Sequence, residues 1–285
     1  MNKTAFVLHI LVLTLLVWTP HYALAQNDFG LDFELAAERK ICSGMKLNLA
    51  GGVRTQDNSS RIDRYSLGAG ISYKIYSNTS KTFSAKAFGD FEYLWVQNLE
   101  SIEDKFYDED DKLPPDYKVG DYKGYNQTGR YWNDRQRISG GMSISWEPNK
   151  RWSFQLKETF QYSHYNSVSD IDITKVRRKY NDDDEPYWRE EHEVDSREAK
   201  NRTVLRNKLT TSYDIPNSHF EPYVSFDYGV GLNFSTSKCK VTFGSKYKFS
   251  KDKSMTVFYR YCHENDHDND DVNGHLIGLA MDISW

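Results

Sequence analysis

The densest cluster of potential metal ligands lies near the end of the chain, between Glu264 and Asp271. Three of its aspartates have the spacing of the first ligands of a calcium-binding loop: Asp266, Asp268 and Asp270. A loop of that type also needs glycine at the position of Asp271 and a bidentate glutamate at that of Ile277, and this chain has neither. The pattern therefore favours a solvated acidic loop, and these aspartates remain the candidates for a metal site.

Nucleophilic and thiol chemistry have less support in the sequence. Ser163 and His164 are neighbours, and in a strand their side chains would point to opposite faces, so neither could activate the other. The three cysteines, Cys42, Cys239 and Cys262, are an odd number at unrelated spacings, which indicates neither a zinc site nor a disulfide framework. We predict no catalytic residue and no cofactor, and an enzyme is the least favoured class.

A set of charged side chains recurs at alternate positions of segments whose other positions are apolar. The set contains both signs: Lys86, Asp90, Glu92, Lys157, Arg206, Lys208, Lys246 and Arg260. If these segments are strands, the charged residues share the face opposite to the apolar one. Charges that converge inside a narrow barrel must be paired or hydrated. We therefore predict that they line a lumen, as an ion-pair network that closes it, as a filter for solutes, or as interior packing.

The segments that carry these charges alternate with period two, as strands do. In residues 65 to 73, bulky side chains occupy the odd positions, and Gly or Ser occupies the even ones. Eleven segments show this rhythm: 31–39, 46–56, 65–73, 82–96, 138–146, 152–165, 202–214, 219–230, 240–249, 255–262 and 275–285. The pattern predicts an all-β fold, an antiparallel up-and-down transmembrane β-barrel of ten to twelve strands. A soluble sandwich is the alternative, but its polar face seldom carries so many small residues.

The links between these segments alternate in length, which indicates how the barrel is oriented. Short turns are expected at 42–44, 77–80, 148–150, 216–218 and 250–253. Longer or more polar links are expected at 57–62, 97–132, 166–201, 231–236 and 264–274, as extracellular loops opposite periplasmic turns. This orientation makes residues 31–39 start outside, and bacterial barrels have even strand numbers. We therefore favour ten or twelve strands over eleven.

The first 25 residues have the features of a cleavable signal peptide. Lys3 precedes an apolar run at residues 5–18 that is too short to span a bilayer as a helix. Ala23 and Ala25 occupy the two positions that a signal peptidase reads. We predict cleavage after Ala25, which leaves residues 26–285 as one barrel domain in the outer membrane. A retained N-terminal anchor is the alternative.

The composition fits such a barrel and gives no support for a nucleic-acid partner. Aromatic residues reach 15% although hydrophobic residues make up only 38%, which suits aromatic girdles at two membrane interfaces. The formal net charge is −4, and the basic residues do not cluster as they would in a nucleic-acid interface.

The last residues form an alternating segment that ends on an aromatic side chain. One parity holds Ile277, Leu279, Met281, Ile283 and Trp285. This ending resembles the C-terminal signal read by the barrel-assembly machinery, so we expect Trp285 to act as the assembly signal. An ordinary final strand would show the same alternation.

Four short motifs resemble a known family. They are Arg61–Tyr65, Leu205–Leu209, Tyr213–Pro216 with Pro222–Tyr223, and Tyr259–Tyr261. Their order and spacing across most of the mature chain are similar to those of an outer-membrane family catalogued as domain of unknown function 2490. The resemblance implies an outer-membrane location and a barrel fold, and no reaction. The acidic inserts at 97–132 and 166–201 depart from the family, so a shared ligand is not implied.

Three functions follow from these features. The first is a narrow channel or a structural component of the outer membrane. The second is a surface protein that binds glycans or partners through its aromatic and acidic loops, for example at Tyr187 and Trp188. The third is a barrel enzyme. In each case we expect outer-membrane lipids and lipopolysaccharide as neighbours, and the barrel-assembly machinery as a partner during biogenesis. The sequence leaves the oligomeric state open.

Overall fold

The computed structural model describes residues 28–109, 113, 117–180, 186–232, 236–266 and 269–285. Strands dominate this part of the chain, and it contains no helix. The strands are β1 (Asp28–Cys42), β2 (Met45–Gln56), β3 (Arg61–Ser77), β4 (Phe83–Asn98), β5 (Ser101–Phe106), β6 (Tyr122–Thr128), β7 (Tyr131–Trp146), β8 (Trp152–Tyr165), β9 (Val168–Tyr180), β10 (Pro186–Arg197), β11 (Lys200–Tyr213), β12 (Phe220–Gly231), β13 (Thr236–Lys248), β14 (Lys253–Asp266) and β15 (Asn269–Ser284). Among the described residues, no helix is long and apolar enough to cross a membrane.

Eleven of these strands close into a barrel in the order β1-β15-β14-β13-β12-β11-β8-β7-β4-β3-β2. The eleven alternating segments of the sequence correspond to these strands one by one, so the predicted barrel is confirmed. The preference for an even count was wrong. The reason is the closure, because β1 and β15 pair in parallel from Asp28 with Gly274 to Glu38 with Ser284. We call this parallel pair the seam.

The direction of β1 follows from the seam. β1 runs antiparallel to β2 and β15 runs antiparallel to β14, and the parallel seam makes β1 begin at the same end of the barrel as β15. Short turns such as Ser43–Gly44, where Gly44 has a φ of +85°, connect the strands at the opposite end. The longer links leave from the end where β1 begins. The sequence placed the start of residues 31–39 at that end, and a closed odd barrel accommodates it.

The barrel carries its apolar side chains outside and its polar ones inside. Leu67, Ile138 and Phe243 lie on the outer face with 61%, 58% and 52% of their surface exposed. Asp32 and Ser225 point inward and are 3% and 2% exposed. Strand alternation separates the two sets, because successive side chains point to opposite faces. The arrangement is the reverse of an ordinary water-soluble fold, in which apolar side chains lie inside.

Small residues on the inner face make room for large ones on neighbouring strands. A Cβ at Gly70 would lie 1.9 Å from the Asp90 Oδ1 atom, and one at Gly278 would lie 2.1 Å from the Phe258 ring. A Cβ at Gly244 would lie 2.6 Å from the Tyr223 ring. These three glycines therefore leave space that side chains of neighbouring strands fill.

The two longest connections, expected as loops, contain four further strands. They form a separate antiparallel sheet in the order β10-β9-β6-β5, within a compact unit of residues 95–135 and 164–200. Their polar composition suggested loops, but the charges complement one another across strands. Lys175 on β9 forms an ion pair with Glu193 on β10, and Arg178 is paired in register with Trp188.

The parallel seam can be tested by disulfide formation. Ala37 and Ile283 are directly paired across it and lie on the same face. In a variant whose three native cysteines are replaced by Ser, we expect Ala37→Cys with Ile283→Cys to form an intramolecular disulfide after mild oxidation. The bond should give a dithiothreitol-reversible mobility shift of the denatured chain on a gel.

The matched control places the second cysteine at Leu279, on the same face of β15 but about 13 Å further along the strand. Ala37→Cys with Leu279→Cys should remain reduced. Equal oxidation of both pairs, or of neither, would contradict the seam register.

Candidate functional site

The inside of the barrel contains two water-accessible cavities of about 450 Å³ and 400 Å³. The walls of both include Glu34, Gln155, Lys208 and Arg260, so the two spaces adjoin. Their lining comes from alternate residues of nine of the eleven barrel strands, and most of it is charged or hydroxyl-bearing. We call the 450 Å³ space the upper cavity and the other the lower cavity.

One carboxylate holds the strands on both sides of the seam. The Asp32 Oδ2 atom accepts hydrogen bonds from Arg54 Nη2 on β2 at 2.7 Å and from Arg260 Nη1 on β14 at 3.0 Å. The Asp32 side chain is 4% exposed, so both ion pairs are screened little by water. The Arg260 guanidinium also lies 4.6 Å above the ring of Phe258, which occupies the space left by Gly278 on β15.

Other ion pairs join barrel strands further round the lumen. Arg137 Nη1 on β7 donates to Glu92 Oε2 on β4 at 2.6 Å. Arg206 on β11 pairs with Asp227 on β12, and its Nη1 atom donates to Gln161 Oε1 on β8 at 3.3 Å. These charges are compensated across strands, as charges with little access to water must be.

Ion pairs also join neighbouring strands beside the lower cavity, near the short turns. Lys248 pairs with Glu221 at 2.8 Å, and the Ser212 hydroxyl donates to Glu221 Oε1 at 2.7 Å. Lys246 lies 3.6 Å from the Asp282 carboxylate on β15. This end of the lumen is therefore also crossed by charged side chains.

Three lysines of the upper cavity differ from these charges. Lys157, Lys208 and Lys240 line the cavity and make no ion pair with any residue in the described part of the chain. Lys157 Nζ lies 3.9 Å from the centre of the Phe88 ring, a cation–π contact, and the Asp90 carboxylate acts on its charge only from beyond ion-pair distance. The upper cavity thus has three ammonium groups that lie beyond ion-pair distance of every carboxylate in the described part of the chain.

The structure places the predicted lumen residues as follows. Six line the upper cavity: Asp90, Glu92, Lys157, Arg206, Lys208 and Arg260. Lys246 lines the lower cavity with Lys208 and Arg260. Lys86 shares the inward face of β4 with Asp90 by strand alternation. Their role in transport or selection stays a prediction.

Sequence reasoning missed other charged residues of the lumen: Asp32, Glu34, Arg54, Arg137, Asp227 and Lys240. Asp32 and Glu34 alternate with Phe33 and Leu35, which was a usable signal. These two carboxylates were nevertheless left out of the predicted lumen set. Asp227 stands between Phe226 and Tyr228 in the same manner, in a strand whose alternation is less regular.

The predicted metal candidates lie where β14 and β15 meet. Asp268 is outside the described residues, and the two strands are paired as far as Asp266 and Asn269. The predicted signal peptide also lies outside the described residues. Across the described residues, no group of three or more His, Cys, Asp or Glu is placed to hold a metal ion.

Trp285, the predicted assembly signal, follows β15 with 60% of its surface exposed, and its backbone N–H donates to Glu38 O at 3.1 Å. Its part in assembly stays a prediction.

The four-stranded sheet carries a row of exposed aromatic rings. Phe106 contacts Tyr122 at 6.0 Å between ring centres, and Tyr122 contacts Trp188 at the same distance. The Arg178 guanidinium lies 5.9 Å from the Trp188 ring. We call Phe106, Tyr122 and Trp188 the aromatic row; it includes one of the two residues that the sequence suggested for surface binding.

Removing the Asp32 carboxylate should destabilise the barrel strongly. In Asp32→Asn the guanidiniums of Arg54 and Arg260 lose their shared charge partner, and loss of one member of a buried ion pair costs about 3 to 5 kcal/mol. Urea unfolding of the purified protein in detergent measures the free energy of unfolding.

The control is Glu38→Gln on the same strand. It removes a carboxylate whose pair with Lys46 is half exposed, and such pairs contribute about 1 kcal/mol or less. Similar losses for Asp32→Asn and Glu38→Gln would show that the shared carboxylate does not hold the seam.

Comparison with known proteins identifies a family without a known activity. No curated protein matches this chain. The family described as "Protein of unknown function (DUF2490)" matches residues 29–273, which extend from β1 into β15. This match confirms the resemblance that the sequence motifs carried, and the chain belongs to the DUF2490 family.

Proposed function

We propose that the protein is an integral outer-membrane β-barrel that acts as a narrow channel. The observation that carries this proposal is the outer face, where large apolar side chains such as Leu67, Ile138 and Phe243 are exposed on strand after strand. A surface of this kind would cause aggregation in water, whereas hydrocarbon solvates it. Closure of the sheet also satisfies the backbone hydrogen bonds of every barrel strand, as a bilayer requires.

Features of the sequence support the outer membrane as the location. Residues 1–25 resemble a signal peptide, and a leader of that type directs a chain out of the cytoplasm. Short turns at one end of the barrel and long connections at the other agree with the usual arrangement of outer-membrane barrels. In this orientation β1 begins on the extracellular side, together with β15.

The size of the lumen supports a narrow channel. Barrels of about 8 strands are filled by their own side chains, and those with about 16 to 18 leave a wide aqueous pore. An eleven-stranded barrel lies between these cases, and its cavities of about 450 Å³ and 400 Å³ are bordered by ion pairs. Small hydrated solutes fit such a path, and large ones would require the ion pairs to separate.

The aromatic row favours a second function, recognition at the cell surface. Phe106, Tyr122 and Trp188 are 54%, 39% and 52% exposed, and large exposed rings are typical of binding surfaces. On this alternative the barrel is a membrane anchor for the four-stranded sheet.

The membrane assignment predicts a depth-dependent effect of charge on the outer face. Phe243 lies near the middle of β13, and Phe249 follows its end; they are 52% and 53% exposed. Phe243→Lys should cost about 2 to 4 kcal/mol of stability in lipid bilayers, and Phe249→Lys about 0 to 1 kcal/mol. Unfolding of both variants in vesicles provides the measurement. If both substitutions are harmless, the outer face does not contact hydrocarbon.

The channel itself is tested in planar bilayers. We expect the purified protein to give small ohmic conductance steps. Removing one ion pair of the lumen, with Arg137→Ala and Glu92→Ala together, should enlarge them because two long side chains leave the path. The same double change at Lys46 and Glu38, near a short turn, should have less effect. Absence of conductance from correctly folded protein would exclude the channel and favour the anchor function.

A further inference from the structure

The charges around the upper cavity do not balance. Its walls carry six cations, namely Arg137, Lys157, Arg206, Lys208, Lys240 and Arg260, against four carboxylates, namely Glu34, Asp90, Glu92 and Asp227. Just beyond the wall, Asp32 and Arg54 add one charge of each sign. The cavity region therefore has a formal excess of two positive charges, in a protein whose net charge is −4.

The arginines use the best-placed carboxylates. Glu92 is held by Arg137, Asp227 by Arg206, and Arg260 shares Asp32. Lys208 on β11 and Lys240 on β13 are both paired in register with Asp227, so the two ammonium groups stand on either side of a carboxylate already engaged by an arginine. This arrangement brings two lysines together without a free counter-charge between them.

The third lysine enters from another strand. Lys157 on β8 lines the same cavity, with its ammonium over the Phe88 ring. Asp90 lines this cavity as well, with its carboxylate in the space beside Gly70. Hydroxyl groups of Thr159, Ser225 and Thr242 complete the wall and can donate hydrogen bonds.

We propose that the upper cavity is a binding site for a small oxyanion with one or two negative charges, such as phosphate or a short carboxylate. Cations enclosed away from bulk water are costly unless an opposite charge joins them, and the excess of two positive charges matches such an anion. Lysine ammonium groups and hydroxyl donors supply the charge-assisted hydrogen bonds that an oxyanion accepts. The volume of about 450 Å³ leaves room for the anion with water.

The anion site gives the solute class of the proposed channel. It depends on the proposed channel only for the route by which the anion enters. The test uses the full protein folded in detergent, with inorganic phosphate as the probe. Its thermal unfolding midpoint should rise with phosphate in a saturable manner, and chloride at equal ionic strength should not reproduce the rise. An equal effect of chloride would mean general screening and would overturn the site.

The variant Lys208→Gln with Lys240→Gln should weaken the phosphate affinity by about tenfold or more, because it removes charge-assisted hydrogen bonds. Its stability without phosphate should change little, since Asp227 keeps its ion pair with Arg206. The control is Lys246→Gln on the same face of β13, whose ammonium is near Asp282 and outside the upper cavity wall. Lys246→Gln should keep the phosphate affinity.

The outcomes separate the two proposals. Saturable phosphate stabilisation without conductance would retain the anion site and exclude the channel. Conductance without phosphate stabilisation, or phosphate stabilisation that survives Lys208→Gln with Lys240→Gln, would retain the channel and overturn the anion site.

Discussion

The barrel depends on how its first and last strands are joined. A parallel pair closes it, and parallel pairing is slightly less stable per residue than antiparallel pairing. Asp32 compensates at this point, because one of its oxygens accepts hydrogen bonds from Arg54 on β2 and Arg260 on β14. These strands flank the seam on either side. Ion pairs thus join β1 to β2 and, across β15, to β14, where the backbone pairing is least favourable.

The same closure organises the lumen. Arg260 can reach Asp32 because Gly278 gives the Phe258 ring space to lie against β15, and Arg260 lies over that ring. The arginines then form ion pairs with carboxylates across neighbouring strands, whereas three lysines of the upper cavity lie beyond ion-pair distance of a carboxylate in the described part of the chain. A planar guanidinium forms hydrogen bonds to carboxylates in a fixed geometry, whereas an ammonium group on a flexible stem can adjust to a reversibly bound ligand. With the proposed anion site, the lumen combines structural charges with charges that a solute can engage.

Sequence reasoning recovered the barrel more completely than the site. Period-two alternation is a property of neighbouring residues, so each of the eleven strands was visible in its own segment. It also assigned Asp90, Glu92 and Lys157 to the face that the structure turns inward. Asp32 was missed although residues 31–39 were among the alternating segments, because alternation shows which side chains share a face and not which of them form ion pairs. Most strands of the separate sheet were missed because charged residues stand at both parities within them, and cross-strand partners such as Lys175 with Glu193 show that they pair.

By itself, the sequence determined the family, the two unlike faces of each strand and the approximate places where strands begin and end. These features follow from local composition, since a side chain two residues away points to the same face. Only the tertiary structure decided that β1 meets β15 in parallel, that Asp32 joins Arg260 from 228 positions away, and that Lys157, Lys208 and Lys240 surround one cavity. Contacts between such distant residues arise when the sheet closes, and local spacing does not contain the register that closure selects.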